Sequence, residues 1–166
     1  MLEVTVEAIQ VSLISPHRLI LLKEVERERY LPIWIGACES EAIAIRLQGV
    51  TPGRPMTHDL LLNLIRDLQA TLEFIIVTAL RRDTFYAQLA LTQDNAPLFV
   101  DCRPSDAIAL AVRAGVPIYV EDEVMQSAGI TPDADLLGGD GSAEDEELEI
   151  FRRFLDRLDL DDLPTD

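Results

Sequence analysis

The chain has 166 residues, 48% of them hydrophobic and 27% charged, and its 14 Lys+Arg stand against 30 Asp+Glu for a net charge of -16. This composition excludes a collagenous, disordered or membrane-embedded chain and fits one globular domain with a short appendage. Generic adhesion to a nucleic-acid backbone is excluded as well, because displacing condensed counterions needs a basic face, so any nucleic-acid contact has to come from a local site.

The acidity is uneven. Residues 133–166 hold 13 acids and 3 Arg, a net of -10, which leaves -6 on residues 1–132. No window offers the roughly 18 uncharged apolar residues of a spanning helix, and the first residues lack the basic region of a signal peptide, so a cytoplasmic protein with no membrane partner is expected. Cys38 and Cys102 have no CxxC or Cys/His spacing and are expected to be two small buried thiols.

In chain order, Leu2, Val4, Val6 and Ala8 alternate with polar residues before Ile9, Val11 and Leu13 take the opposite parity, which predicts a long strand with a bulge near Ala8. After a turn at Ser15-Pro16-His17-Arg18, residues 19–22 read as a strand covered on both faces and residues 30–35 as a third strand. Gly36 breaks that strand, and a helix is expected over residues 39–48 with Gly49 as its stop. Thr57 is placed to cap the next helix, whose Leu60, Leu61, Leu64, Ile65 and Leu68 form an apolar stripe expected to pack on the sheet. Residues 72–80 and 85–91 predict an antiparallel hairpin, and residues 98–100 a further strand. Pro104 suits a first helical turn, Ile108, Ala111 and Val112 should face inward, Gly115 ends the helix, and residues 116–120 return as a strand.

The expected fold is therefore α+β, a mixed and largely antiparallel sheet packed by two to three helices. Residues 1–132 form the domain, 133–143 an acidic Gly-rich linker, 144–160 a C-terminal amphipathic helix and 161–166 an acidic tail. Leu148, Phe151, Phe154, Leu155 and Leu158 give that helix an apolar face that needs a partner, so a homo-oligomer is expected, a dimer by preference.

No Walker loop, GxGxxG, HExxH or GxSxG occurs, and the polar residues that carry chemistry gather at element junctions. Arg54, His58 and Asp59 surround one helix start; Asp101, Arg103, Ser105 and Asp106 lie where a strand passes into another helix. At the second junction Asp101 ends a strand and Arg103 offers a planar donor fork beside the free N–H groups of the helix, a seat for phosphate. Asp59, Asp101 and Asp106 are the metal-ligand candidates for Mg or Mn if the two junctions meet in space, since a divalent ion would activate water for phosphodiester hydrolysis. Plain capping would equally account for Ser105, Asp106 and Asp59. Trp34 is expected in core or interface packing, and Glu39 and Glu41 as surface acids.

Four separated segments, Leu31-Pro32-Ile33-Trp34-Ile35-Gly36 with Glu41-Ala42, Arg54-Pro55-Met56-Thr57-His58-Asp59-Leu60, Thr84-Phe85-Tyr86-Ala87 and Asp101-Cys102-Arg103-Pro104-Ser105-Asp106-Ala107-Ile108-Ala109-Leu110, resemble in order the bifunctional nuclease domain family across about residues 1–130. The resemblance implies an α+β fold and hydrolysis of the phosphodiester bonds of DNA and RNA. Its charged motif positions fall on Arg54, His58, Asp59, Asp101, Arg103, Ser105 and Asp106. On this reading His58, Asp59, Asp101 and Asp106 are catalytic, with His58 as acid/base, and Arg54, Arg103 and Ser105 bind phosphate. The competing expectation is a non-enzymatic oligomeric binding module that takes a phosphorylated ligand or a protein partner at the same helix starts. An acidic mimic of nucleic acid is a third, and it requires a continuous acidic face.

Overall fold

The parity switch at Ala8 is a bulge. In the computed structural model, which describes residues 1–11 and 18–131, strand β1 (Leu2–Val11) pairs antiparallel with β2 (Arg18–Glu24), and the register slips between Val6 and Ala8 so that both halves keep an apolar side inward. β3 (Tyr30–Ile35) completes an antiparallel meander along β2. Leu19, Ile20 and Leu22 are buried on both faces of β2, as expected of its apolar run. The turn holding His17, the linker, the C-terminal helix and the acidic tail lie outside the described residues.

Two helices follow, α1 (Ala37–Leu47) and α2 (Thr57–Asp67), and then the second antiparallel block: β4 (Ala70–Arg81), β5 (Thr84–Gln93) and β6 (Ala96–Cys102). Both hairpins turn in two residues, Arg82-Asp83 and Asp94-Asn95, all four with positive φ, the turn whose twist matches the flanking strands. Helix α3 (Pro104–Ala114) leads to the short β7 (Ile118–Val120) and to α4 (Asp122–Ala128). The seven-stranded order is β3-β2-β1-β7-β4-β5-β6, and β7 joins the blocks by pairing antiparallel with β1 and parallel with β4. The architecture is the mixed, mostly antiparallel α+β arrangement read from the sequence.

Helix α3 is the middle of the helical layer. It touches α1 and α2 and lies on β4 and β5, and Ala107 through Ala111 are all buried, because small residues let the helix approach its neighbours closely. Pro104 occupies its first turn and Gly115 ends it in the left-handed region at φ 70, donating to the Ala111 carbonyl.

Several local expectations are corrected. The α2 cap is Met56, not Thr57: the Asp59 carboxylate reaches back to the Met56 N–H at 2.8 Å, a stronger partner than a threonine hydroxyl. The inward side of α2 is His58, Leu62 and Ile65, while Leu60, Leu61, Leu64 and Leu68 are exposed; the leucines span more of the helix circumference than one contact face covers. Trp34, on the strand face opposite Ile33 and Ile35, is exposed. Cys38 is exposed in the first turn of α1, and α4 was not predicted. No helix among the described residues is long and apolar enough to cross a membrane.

Candidate functional site

The two junctions meet. The sequence at 56–59 starts α2 and that at 103–106 starts α3, and the packing of these helices sets His58 against Asp106, Nε2 to Oδ1 at 3.1 Å. A carboxylate only accepts, so Nε2 carries the proton in this contact and Nδ1 is left as the acceptor when the ring is neutral. The His58 side chain is 10% exposed and that of Asp106 27%. Arg103, the residue before Pro104, forks onto the same carboxylate, with Nε 2.7 Å from Oδ2 and Nη2 3.1 Å from Oδ1. Its Nη2 also reaches Glu39 Oε1 of α1 at 2.6 Å.

The result is a charged chain across three helix starts, Glu39, Arg103, Asp106 and His58. Burial alone would push the Asp106 carboxyl up, but the Arg103 guanidinium and the His58 ring outweigh it and hold the carboxyl below its usual range. Hydrogen bonds donated to Asp106 and Glu39 push the Arg103 guanidinium further up. Arg103 is nevertheless 66% exposed, so the outer side of its fork faces water.

Asp59 belongs to a second knot one residue along. Its Oδ1 accepts from Arg113 Nε at 2.7 Å, and Arg113, buried in the last turn of α3, also donates to the carbonyls of Ala109 at 2.9 Å and Ala42 at 3.1 Å. One guanidinium thus ties α1, α2 and α3 together. Burial raises the Asp59 carboxyl, and the Met56 N–H with Arg113 brings it below its ordinary value. Beside this knot, under the loop of residues 50–55, lies a cavity of about 250 Å³ lined by Arg46, Arg54, Arg113, Asp59 and Asn63. Three guanidiniums against one carboxylate make it locally cationic in a chain of net charge -16.

Of the residues expected from the sequence, His58, Arg103 and Asp106 share one network, and Asp59 and Arg54 line the adjoining cavity. Ser105 is buried in the first turn of α3. Asp101 stands apart: it is exposed on β6, opposite Gln88, and pairs with none of His58, Asp59 or Asp106. Among the described residues no three His, Cys, Asp or Glu side chains gather closely enough to hold a metal ion, and Asp59 and Asp106 are each neutralised by a separate guanidinium. As placed, the three carboxylates do not fit a resident divalent ion. Cys102 is no nucleophile, since burial, with the Asp101 and Asp106 charges adding, pushes its thiol up to about 12.

Sequence reasoning missed Glu39, Arg46 and Arg113. Arg113 carried a signal, a lone cation in a helix whose preceding five residues are Ile-Ala-Leu-Ala-Val, where a charge survives burial only with fixed partners. Glu39 carried none, because its partner is 64 residues away.

An uncharacterised protein of Mycobacterium tuberculosis is 42% identical over 161 residues, 96% of each chain. The protein named bifunctional nuclease 1 of Arabidopsis thaliana is 31% identical over 120 residues, 70% of this chain but 37% of that protein. Its namesake in Oryza sativa subsp. japonica is 26% identical over 120 residues, 70% of this chain and 36% of that protein. The family profile described as the bifunctional nuclease domain matches residues 20–133, a span that takes in both helix starts, the arginine-lined cavity and every strand but β1 and the first two residues of β2, and the chain belongs to that family.

Proposed function

We propose that the chain is a nuclease that hydrolyses phosphodiester bonds in DNA and RNA, with the arginine-lined cavity as its phosphate seat. The observation that carries this is the cavity's charge: with Arg113 paired to Asp59 and Arg46 donating to the Val112 and Arg113 carbonyls, Arg46 and Arg54 leave its lining net cationic in an otherwise acidic protein, which suits one phosphate group gripped locally and not a long polymer held along a face. Arg54 is exposed and pairs with no carboxylate among the described residues, so its fork is available to a phosphate. Arg103, its fork held by Asp106 and Glu39, adds an exposed positive charge from the neighbouring network. His58 is the acid/base: Asp106 fixes the proton on Nε2, leaving Nδ1 to take a proton from attacking water and return it to the leaving oxygen, the orienting role a carboxylate plays behind a catalytic histidine. The names of the plant relatives agree with this chemistry.

The second reading, a module that binds a phosphorylated ligand without cleaving it, is favoured by one observation. Asp59, Asp106 and Arg103 are already paired with one another or with Arg113, as structural ion pairs are.

Cleavage of labelled single- and double-stranded DNA and RNA, in Mg²⁺, Mn²⁺ or EDTA, separates the two. Arg54→Ala, on an exposed side chain, is expected to lose at least about tenfold in kcat/KM with stability unchanged, and His58→Ala about 100-fold or more. Equal activity in wild type and both variants would assign the cleavage to a contaminant. No cleavage with retained binding of a 5′-phosphorylated dinucleotide, weakened by Arg54→Ala, would establish the binding module instead.

A further inference from the structure

Strand β6 ends the sheet, and nothing among the described residues covers it. All of Ala96 through Asp101 is exposed, including Leu98, Phe99 at 55% and Val100. Natural edge strands are normally shortened, charged, bulged or covered, because a free row of N–H and C=O groups invites a further strand. β6 has Pro97 near one end and Asp101 near the other, but between them it carries apolar side chains on both faces. Phe99 lies opposite Ala90 on one face, and Leu98 and Val100 lie opposite Leu91 and Leu89 on the other.

The backbone pattern is self-complementary. The two-residue turn Asp94-Asn95 makes Gln93 and Ala96 a bonded pair, and alternation along the ladder then turns Leu98, Val100 and Cys102 toward β5. Pro97, Phe99 and Asp101 therefore present their backbone groups outward. A second β6, antiparallel and centred on Phe99, receives two bonds exchanged between the two Phe99 residues and two from Asp101 N–H to the Pro97 carbonyl of the other copy. Proline's missing N–H costs that register the return bond to each Asp101 carbonyl, so four bonds form across the seam, and each Asp101 carboxylate faces a proline and not its own copy.

The exposed leucines of α2 belong to the same flank. In the helical layer α3 separates α1, which lies toward β2, from α2, so α2 is on the β6 side. Its start meets the start of α3, just beyond the end of β6, through His58 and Asp106, and its last turn meets Gln93, opposite Ala96, through the Leu68 carbonyl at 2.9 Å. Leu60, Leu61, Leu64 and Leu68 share the helical face with Leu98 and Val100 while Phe99 lies on the other, and together the seven residues expose roughly 700 Å², backbone included, close to the about 800 Å² that each partner gives to a standard stable interface.

We propose that two copies of this chain join edge to edge through β6, with Phe99 on the twofold axis and the α2 leucines packed with Leu98 and Val100 on the helical face, so that the sheet continues across the dimer. A strand is the occupant that satisfies both the outward backbone groups and the two apolar faces, whereas a helix would cover one face and leave the edge unpaired.

Sedimentation of the full chain at micromolar concentration tests this. The expected mass is twice 18.5 kDa. Phe99→Lys and Leu64→Glu, both on exposed side chains, should each return the mass to one chain while the circular dichroism spectrum stays native. In a Cys38→Ser background, Phe99→Cys should cross-link to a dimer under mild oxidation, since a bonded antiparallel pair sets the two Cα atoms about 5.5 Å apart, within disulfide reach. Val25→Cys, exposed on the opposite block, should not cross-link. A wild-type monomer, a dimer that survives Phe99→Lys, or one abolished by Phe151→Glu in the C-terminal segment but not by the β6 and α2 variants would each overturn the proposal.

Discussion

At the scale of single residues, the site is built from side chains that first stabilise and then serve. Arg113 is buried with three fixed acceptors on three helices, so its replacement by Met would leave Asp59 and two carbonyls without their donor. Removing one partner from such a buried arrangement costs about 3–5 kcal/mol, and chemical denaturation of Arg113→Met is expected to show a loss of that size. Asp106 gives the pH counterpart. Its folded carboxyl lies below the ordinary value of 3.8, so the stability it contributes is fully present above that pH and is lost as pH falls through the depressed folded value. Asp106→Asn should therefore lower stability by about 1–2 kcal/mol at pH 7 and flatten the acid limb of the stability profile below about pH 4, measured by urea unfolding across pH. A wild-type profile already flat below pH 4 would mean that the Arg103 and His58 contacts do not form in solution.

At the scale of elements, legibility followed burial. The bulge in β1, the α3 boundaries at Pro104 and Gly115, and the β4–β5 hairpin were all written in the alternation of apolar and polar residues or in residues with fixed backbone preferences. Helix α2 was read as a helix but turned the wrong way, since with four leucines and an isoleucine on 11 residues the pattern does not say which leucines face in. The structure predicts that Leu62→Ala costs about 2–4 kcal/mol, while Leu60→Ala, measured dilute enough to keep chains apart, stays within about 0.5 kcal/mol. Equal losses would restore the original orientation. The seven-residue α4 was missed because two turns are too short to display a period. The candidate site was half legible: each helix start advertised its charged residues, but which guanidinium neutralises which carboxylate depends on helices brought together from 42 to 113, and no local spacing encodes that.

At the scale of the whole molecule, the sheet order was the least legible feature. Its ends are antiparallel blocks of three strands each, and the strand between them, β7, is three residues long and comes late in the chain. Each block buries its own hairpin contacts, so sequence alternation reports the blocks faithfully and is silent on how they join. That late strand also makes the whole sheet a product of the complete domain: residues 1–35 and 70–102 make two separate leaves until Ile118, Tyr119 and Val120 are laid between them. During synthesis the two leaves therefore leave the ribosome with raw inner edges, β1 and β4, and remain open to trespass by strands of other chains until about the last tenth of the domain is made. The protein is a book bound last, with a three-residue spine.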